Sequence, residues 1–204
     1  QVQRFPDEKD LMMRLFKIFI LGCLALIAIT VTNIHAEYDD LIEQIKSGGH
    51  ILMIRHAYAP GSGDPANFKI GDCATQRNLN NRGRTQAAAI GEWLRSKGVK
   101  DAKVYSSQWC RCKETATLLG LGPVTELPAL NSFYGMPQHR EPNIRALRSF
   151  IVNLPADGGL IIFATHFVTI LEISGEGVSP GEGVVLKLKE GGAYDVLGRL
   201  SFGL

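Results

Sequence analysis

The apolar positions of this chain fall into two rhythms. Tyr38, Leu41, Ile42 and Ile45 recur every three to four residues and are followed by Gly48 and Gly49, which predicts an amphipathic helix over 37–47 with a glycine stop. HILMIRH (50–56) is instead a short unbroken apolar run, the pattern of a strand buried on both faces. A Gly/Pro/Asp-rich stretch over 59–72 reads as a loop. Asn80 or Asn81 can cap a helix that runs through Ala87, Ile90, Trp93 and Leu94 to Gly98. KVYS (103–106) reads as a second strand, and residues 109–119 as a helix ended by Gly120.

The pattern continues with a short strand over 123–127, an irregular segment over 128–142 and a helix over 143–153. GLIIFATH (159–166) then repeats the first strand's form, apolar residues ending in a histidine, and a short helix over 168–173 follows. VVLKLK (184–189) and AYDVLGRL (193–200) flank Gly191-Gly192 as a closing hairpin. Strands alternating with helices imply an α/β sandwich around a largely parallel sheet. No internal repeat, low-complexity tract or linker divides it.

One apolar segment fits neither rhythm. LFKIFILGCLALIAITV (15–31) carries a single charge, Lys17, follows Met12-Met13-Arg14 and precedes TNIHA. This is the form of a secretory signal peptide cleaved after Ala36, with residues 37–204 as the mature domain. The alternatives are an uncleaved anchor facing the periplasm, since a span needs about 20 apolar residues, and a weaker lipoprotein site at Cys23. After cleavage no stable membrane insertion is expected. The segment also locates the excess in a mean hydropathy of +0.03.

Composition narrows the partners. The 204 residues hold 22 Lys and Arg against 20 Asp and Glu, and a net charge of +2 gives no footprint for a nucleic acid. The sequence leaves the oligomeric state open. Three cysteines follow residue 36, namely Cys73, Cys110 and Cys112, so in an oxidising compartment one disulfide and one thiol are expected. Cys110 and Cys112 lie too close on a helix to bridge easily, which points to Cys73 with one of them. A metal site at Cys110-Arg111-Cys112 is the alternative, but no nearby His or Cys completes a tetrahedral set.

Ligands in parallel sheets gather at the carboxyl ends of the strands. Three strands here end in chemistry: Arg55-His56, Ser106-Ser107 leading to Arg111, and Thr165-His166. Two guanidiniums can hold an oxyanion bidentately, and a neutral imidazole fixed in one tautomer can attack phosphorus. Each residue alone is more often structural: a satisfied histidine at a strand end, a surface arginine. The repeated strand-then-histidine device is what core packing does not explain.

These residues carry a resemblance. Ile54-Arg55-His56-Ala57 resembles the RHG signature of the histidine phosphatase (phosphoglycerate mutase-like) superfamily. Residues 78–87 (NLNNRGRTQA) resemble its LTxxGxxQA helix start, residues 106–116 (SSQWCRCKETA) its SSPLxRAxxTA segment, and Ala164-Thr165-His166 the strand bearing its second histidine. The resemblance implies a three-layer α/β/α sandwich with a mostly parallel sheet, a small phosphorylated substrate, and chemistry that needs no metal or other cofactor. It makes His56 the phosphorylated nucleophile, with Arg55, Arg111 and His166 holding the phosphoryl group. The loop over 61–77 and the segment over 128–142 would shape the pocket, Ser62 and Arg77 being candidate substrate contacts and Gln76 a neighbour of the latter. Trp109 is expected to be a packing residue.

The departures matter as much. Ala57 replaces the family's glycine, Leu130-Asn131-Ser132-Phe133 lacks the carboxylate that many members carry there, and Phe167 stands where another branch has an aspartate. The general acid is therefore unassigned, and Asp64 and Glu141 are the candidates. The expected activity is that of an exported phosphomonoester hydrolase, with lipopolysaccharide phosphate as one candidate substrate. The rival is a non-catalytic phosphate- or phosphosugar-binding protein.

Overall fold

The computed structural model describes residues 40–202 together with Met12, Phe16, Lys17 and Phe19. Apart from those four residues, the expected signal peptide lies outside the described residues, as does its cleavage site. No helix among the described residues is long and apolar enough to cross a membrane.

Six strands form one sheet in the order β3-β2-β4-β1-β5-β6. They are β1 (His50–Arg55), β2 (Lys103–Ser106), β3 (Val124–Glu126), β4 (Ile161–Thr165), β5 (Gly183–Leu188) and β6 (Tyr194–Leu200). The first four run parallel, with Arg55 opposite Thr165 and Ser106 opposite Ala164. β5 and β6 are the antiparallel exception, the closing hairpin that the Gly191-Gly192 turn predicts. Gly191 and Gly192 take φ of 77° and 82° there, which a residue with a Cβ rarely adopts. Leu197 is an extra residue on β6, because Val185 pairs with Gly198 and Leu186 with Val196.

Besides helical residues 40–46 (α1), the helices are α2 (Asn81–Ser96), α3 (Cys110–Leu119), α4 (Arg140–Val152) and α5 (Phe167–Ser174). From β1 the chain travels through β2 to β3 in one direction across the sheet, then returns to β4 beside β1. Right-handed crossovers in opposite directions place their helices on opposite faces, which makes three layers. Ile51, Met53, Phe163, Val184 and Leu186 pack with Ile144, Leu147 and Ile151 of α4 and Ile170 and Ile173 of α5. The alternate residues Leu52, Ile54, Ile162 and Ala164 point the other way and are equally buried, as are Ala87, Ile90, Leu94, Ala116 and Leu119 of α2 and α3. Both faces of β1 and β4 are thus covered, which is why their sequences are continuously apolar.

Helix boundaries follow local chemistry. The Asn80 side chain accepts the Gly83 N–H at 3.0 Å and caps α2, deciding between the two asparagines. Gly120 and Gly175 end α3 and α5 in the left-handed conformation. The expected start of α4 at residue 143 is corrected to Arg140, because Pro142 sits in the first helical turn, where a missing N–H breaks no helical hydrogen bond.

Candidate active site

The parallel register brings three strand ends to one edge. His56 follows β1, Ser107 follows β2 and His166 follows β4; the His56 N–H donates to the Thr165 carbonyl at 2.9 Å and the Ser107 N–H to the Ala164 carbonyl at 3.0 Å. A cleft of about 180 Å³ opens there, lined by Arg55, His56, Ser62, Asp64, Arg77, Arg111 and His166, together with Ser132, Tyr134, Met136 and Phe167. Among the described residues, its lining contributes three guanidiniums and one carboxylate. Such a surplus of positive charge in a partly closed site favours an anion.

His56 is 3% exposed, and its Nδ1 lies 2.8 Å from the Ala57 carbonyl. A carbonyl only accepts, so Nδ1 carries the proton and Nε2 keeps its lone pair. The carbonyl is itself held, since the Tyr58 N–H of the same peptide unit donates to Gln86 Oε1 at 2.9 Å, while the Ala57 N–H donates to the Thr115 hydroxyl, which donates to the Arg111 carbonyl at 2.7 Å. Burial first, then the Arg111 charge, pushes the His56 pKa down to about 3, so the imidazole is neutral at ordinary pH.

Arg55 spends one Nη on the Val178 carbonyl at 2.9 Å, while its buried Nε has no protein partner. Its guanidinium stands 5.4 Å from the centre of the Phe167 ring, within cation–π range. Arg111, in the first turn of α3, is 3% exposed, and its Nε is likewise buried without a partner. Buried guanidinium N–H groups left unpaired by the protein are the donors that a bound oxyanion would satisfy.

His166 is also 3% exposed. Its Nε2 is 2.8 Å from the Ser107 hydroxyl, its Nδ1 3.5 Å from Arg111 Nη2, and its ring centre 5.6 Å from that of His56. Burial, reinforced by Arg111 and His56, holds its pKa well below the usual histidine value. Ser107 is steadied in turn by Asn131, whose Oδ1 accepts the Gln108 N–H at 2.9 Å and lies 3.2 Å from the Ser107 hydroxyl.

The two carboxylates singled out in the sequence part company. Asp64 lies in the cleft and receives Arg111 Nη1 and the Arg77 N–H on Oδ1, and the Trp109 indole N–H and Arg111 Nη2 on Oδ2. Burial alone would raise its pKa, but these four donors outweigh that and hold it below the usual carboxylate value. Glu141 is not among the residues lining the cleft; its side chain is 76% exposed on α4 and 4.0 Å from Arg145 one turn on.

Ser62 lines the cleft at its exposed rim. Arg77 lines it too, its Nε donating to the Gly63 carbonyl at 2.8 Å. Gln76 turns inward, accepting the Cys110 N–H and donating to the Lys69 carbonyl, so it braces the loop. Cys73 bonds Cys110, which removes the metal alternative at residues 110–112 and fastens this loop to the start of α3. Cys112 stays a buried thiol 3.4 Å from His166 Nε2, its pKa pushed up to about 12, chiefly by burial. A thiol held protonated is not a nucleophile.

A model of the histidine phosphatase superfamily (branch 1) matches residues 51–175, well over half the chain and all of the cleft's strand ends. The chain belongs to this superfamily. Over 74 residues it is 36% identical to the mitochondrial serine/threonine-protein phosphatase Pgam5 of Drosophila virilis, a stretch of 36% of this chain and 23% of that protein. The chain thus spans about a quarter of the length of the curated relatives it matches. Among solved structures, the protein histidine phosphatase SixA complexed with tungstate shares 16% identity at a TM-score of 0.51, over 75% of this chain and 97% of its own. TTHB049 from Thermus thermophilus shares 19% at 0.52, over 74% and 99%. Both show the same fold.

Three features of this histidine phosphatase cleft were hidden in the sequence. Trp109, expected only to pack, stacks on Phe68 at 4.9 Å and also anchors Asp64 through its indole N–H. Asn131, noted for lacking a carboxylate, orients Ser107. Tyr134 and Met136 reach the rim from the irregular segment. The only signal for these was their nearness to a motif.

Proposed function

We propose that this chain hydrolyses phosphomonoesters of small molecules in two steps through phospho-His56. The observation that carries the reading is the His56 Nδ1–H bound to the Ala57 carbonyl, whose peptide unit is held by Gln86, which leaves a neutral Nε2 lone pair in a cleft with three guanidiniums. In the first step Nε2 attacks phosphorus and the ester P–O bond breaks, its electron pair leaving with the alcohol oxygen. Arg55 and Arg111 neutralise the charge that builds on the phosphoryl oxygens, and His166, fixed by Ser107, holds a third side. In the second step water attacks phosphorus, the N–P bond breaks and its electrons return to Nε2. The Nδ1–H bond is unchanged throughout, so the ring keeps its place.

Export is part of the proposal. It is supported by the basic-then-apolar leader in the sequence and by the Cys73–Cys110 bond, which suits an oxidising compartment. The test is turnover of purified protein on a panel of phosphomonoesters, lipopolysaccharide included, beside His56→Ala. Release of phosphate that disappears in His56→Ala is the expected result. No turnover on any substrate, with inorganic phosphate still bound, would instead identify a phosphate-binding protein of the same fold.

A further inference from the structure

The Asp64 carboxylate has no room for a proton. A carboxylate offers about four lone-pair directions, and four donors occupy them: Arg111 Nη1 at 2.8 Å and the Arg77 N–H at 3.0 Å on Oδ1, Trp109 Nε1 at 2.9 Å and Arg111 Nη2 at 3.2 Å on Oδ2. Protonating either oxygen would set an O–H against an N–H and leave a buried donor unpaired. Both Asp64 and Arg111 are largely enclosed, with side chains 16% and 4% exposed, so water cannot readily take the lost partner's place. Asp64 therefore has the geometry of a brace for Arg111, not of an acid.

No other group lining the cleft among the described residues fills the gap. Glu141 is outside it. His166 is neutral and its Nε2 is engaged by Ser107. Ser62, Ser132 and Tyr134 bring hydroxyls to the lining, and neither a carboxyl group nor an imidazole. The lining does offer something else, the apolar bodies of Tyr134, Met136 and Phe167, with Phe167 next to the Arg55 guanidinium, and Tyr134 61% and Phe167 38% exposed.

We infer that the substrate is a phosphate ester whose alcohol leaves as a stable anion without help from a protein acid, an aryl phosphate class rather than an alkyl one, and that Asp64 is a positioning residue for Arg111. This rests on the two-step reading above. In the first step the P–O electron pair goes wholly to the departing oxygen, and that oxyanion takes its proton from solvent after it has left. The apolar lining suits a flat ring on the leaving group.

The experiment is kcat/KM of the full chain and of Asp64→Asn on aryl phosphates of graded leaving-group acidity, with glycerol phosphate and a sugar phosphate as alkyl members. A general acid is worth about 10²–10⁴ in rate. The expected result is a steep fall for the parent chain, of about 10²-fold or more from the most acidic phenol to the alkyl esters. Asp64→Asn is expected to lose activity by one common factor across the series. A flat series in the parent chain overturns the inference while leaving the phosphatase reading intact, and needs no variant to fold. An Asp64→Asn loss at least about tenfold larger on alkyl than on aryl esters would make Asp64 the acid and overturn it too. Absence of turnover on every ester fails both readings.

Discussion

Asp64 and Arg111, 47 residues apart, meet as a fork on a fork: Nη1 to Oδ1 at 2.8 Å and Nη2 to Oδ2 at 3.2 Å. One comes from the loop after β1, the other from the first turn of α3, so the pair joins the strand that ends at His56 to the helix that carries Arg111. A paired, buried Arg–carboxylate costs far more to break than it contributes intact. Asp64→Ala should therefore lower stability by about 3–5 kcal/mol. Urea unfolding of the variant beside the parent chain measures it, and an unchanged midpoint would contradict the brace.

The Cys73–Cys110 bond makes the same connection covalently. Alkylation of the denatured, unreduced chain followed by peptide mapping should label Cys112 but neither Cys73 nor Cys110. Cys73→Ser with Cys110→Ser should cost about 2–4 kcal/mol, typical of a disulfide. Label on Cys73 or Cys110 would contradict the pairing.

The sheet edge was legible in the sequence because both neighbours in it are buried on two faces. β1 and β4 could only be written as continuous apolar runs, and each run ends in a histidine. Parallel pairing then puts those ends together. The helix stops at Gly120 and Gly175 and the cap region at Asn80–Asn81 were equally local. What the pattern did not show are contacts across long separations: Trp109 on Asp64, Asn131 on Ser107, and the choice of Cys110 over Cys112. Pro142 misled for a related reason, since a proline ends a helix or opens one depending on a turn that the residue itself does not specify.

Ser107 is expected to act through His166. In Ser107→Ala the His166 Nε2 loses its 2.8 Å partner and keeps only the weaker Cys112 thiol at 3.4 Å, so the ring is held less firmly. The variant should lose about tenfold or more in kcat with a smaller change in KM, because misplaced groups cost most in the transition state. Steady-state kinetics decides the point: a loss confined to KM would contradict it.

The depressed histidine pKa values predict acid sensitivity. His56 titrates near 3 in the folded chain and near 6.5 unfolded, so between those values the unfolded state binds a proton that the native state refuses. Stability is therefore full above about pH 6.5 and declines as pH falls towards 3. From pH 7 to pH 5, His56 alone accounts for about 2 kcal/mol, and His166 acts in the same direction. The urea midpoint should drop over this range, and by less in His56→Asn. A midpoint that does not move with pH would show that these histidines are not buried as neutral rings.

Gly83 tests the packing behind the site. A Cβ there would lie 2.0 Å from the Tyr58 carbonyl oxygen, a backbone atom two residues past His56. Gly83→Ala should cost about 1–3 kcal/mol, despite alanine's better helix propensity, because the helix or the strand end must move. A variant as stable as its parent in thermal unfolding would contradict this.

The most direct test of the phosphohistidine mechanism is to quench turnover and map the phosphoryl group. One acid-labile phosphoryl group is expected on His56 Nε2, absent in His56→Ala along with turnover. Turnover without any phosphoenzyme, or phosphate release that survives in His56→Ala, would contradict the mechanism.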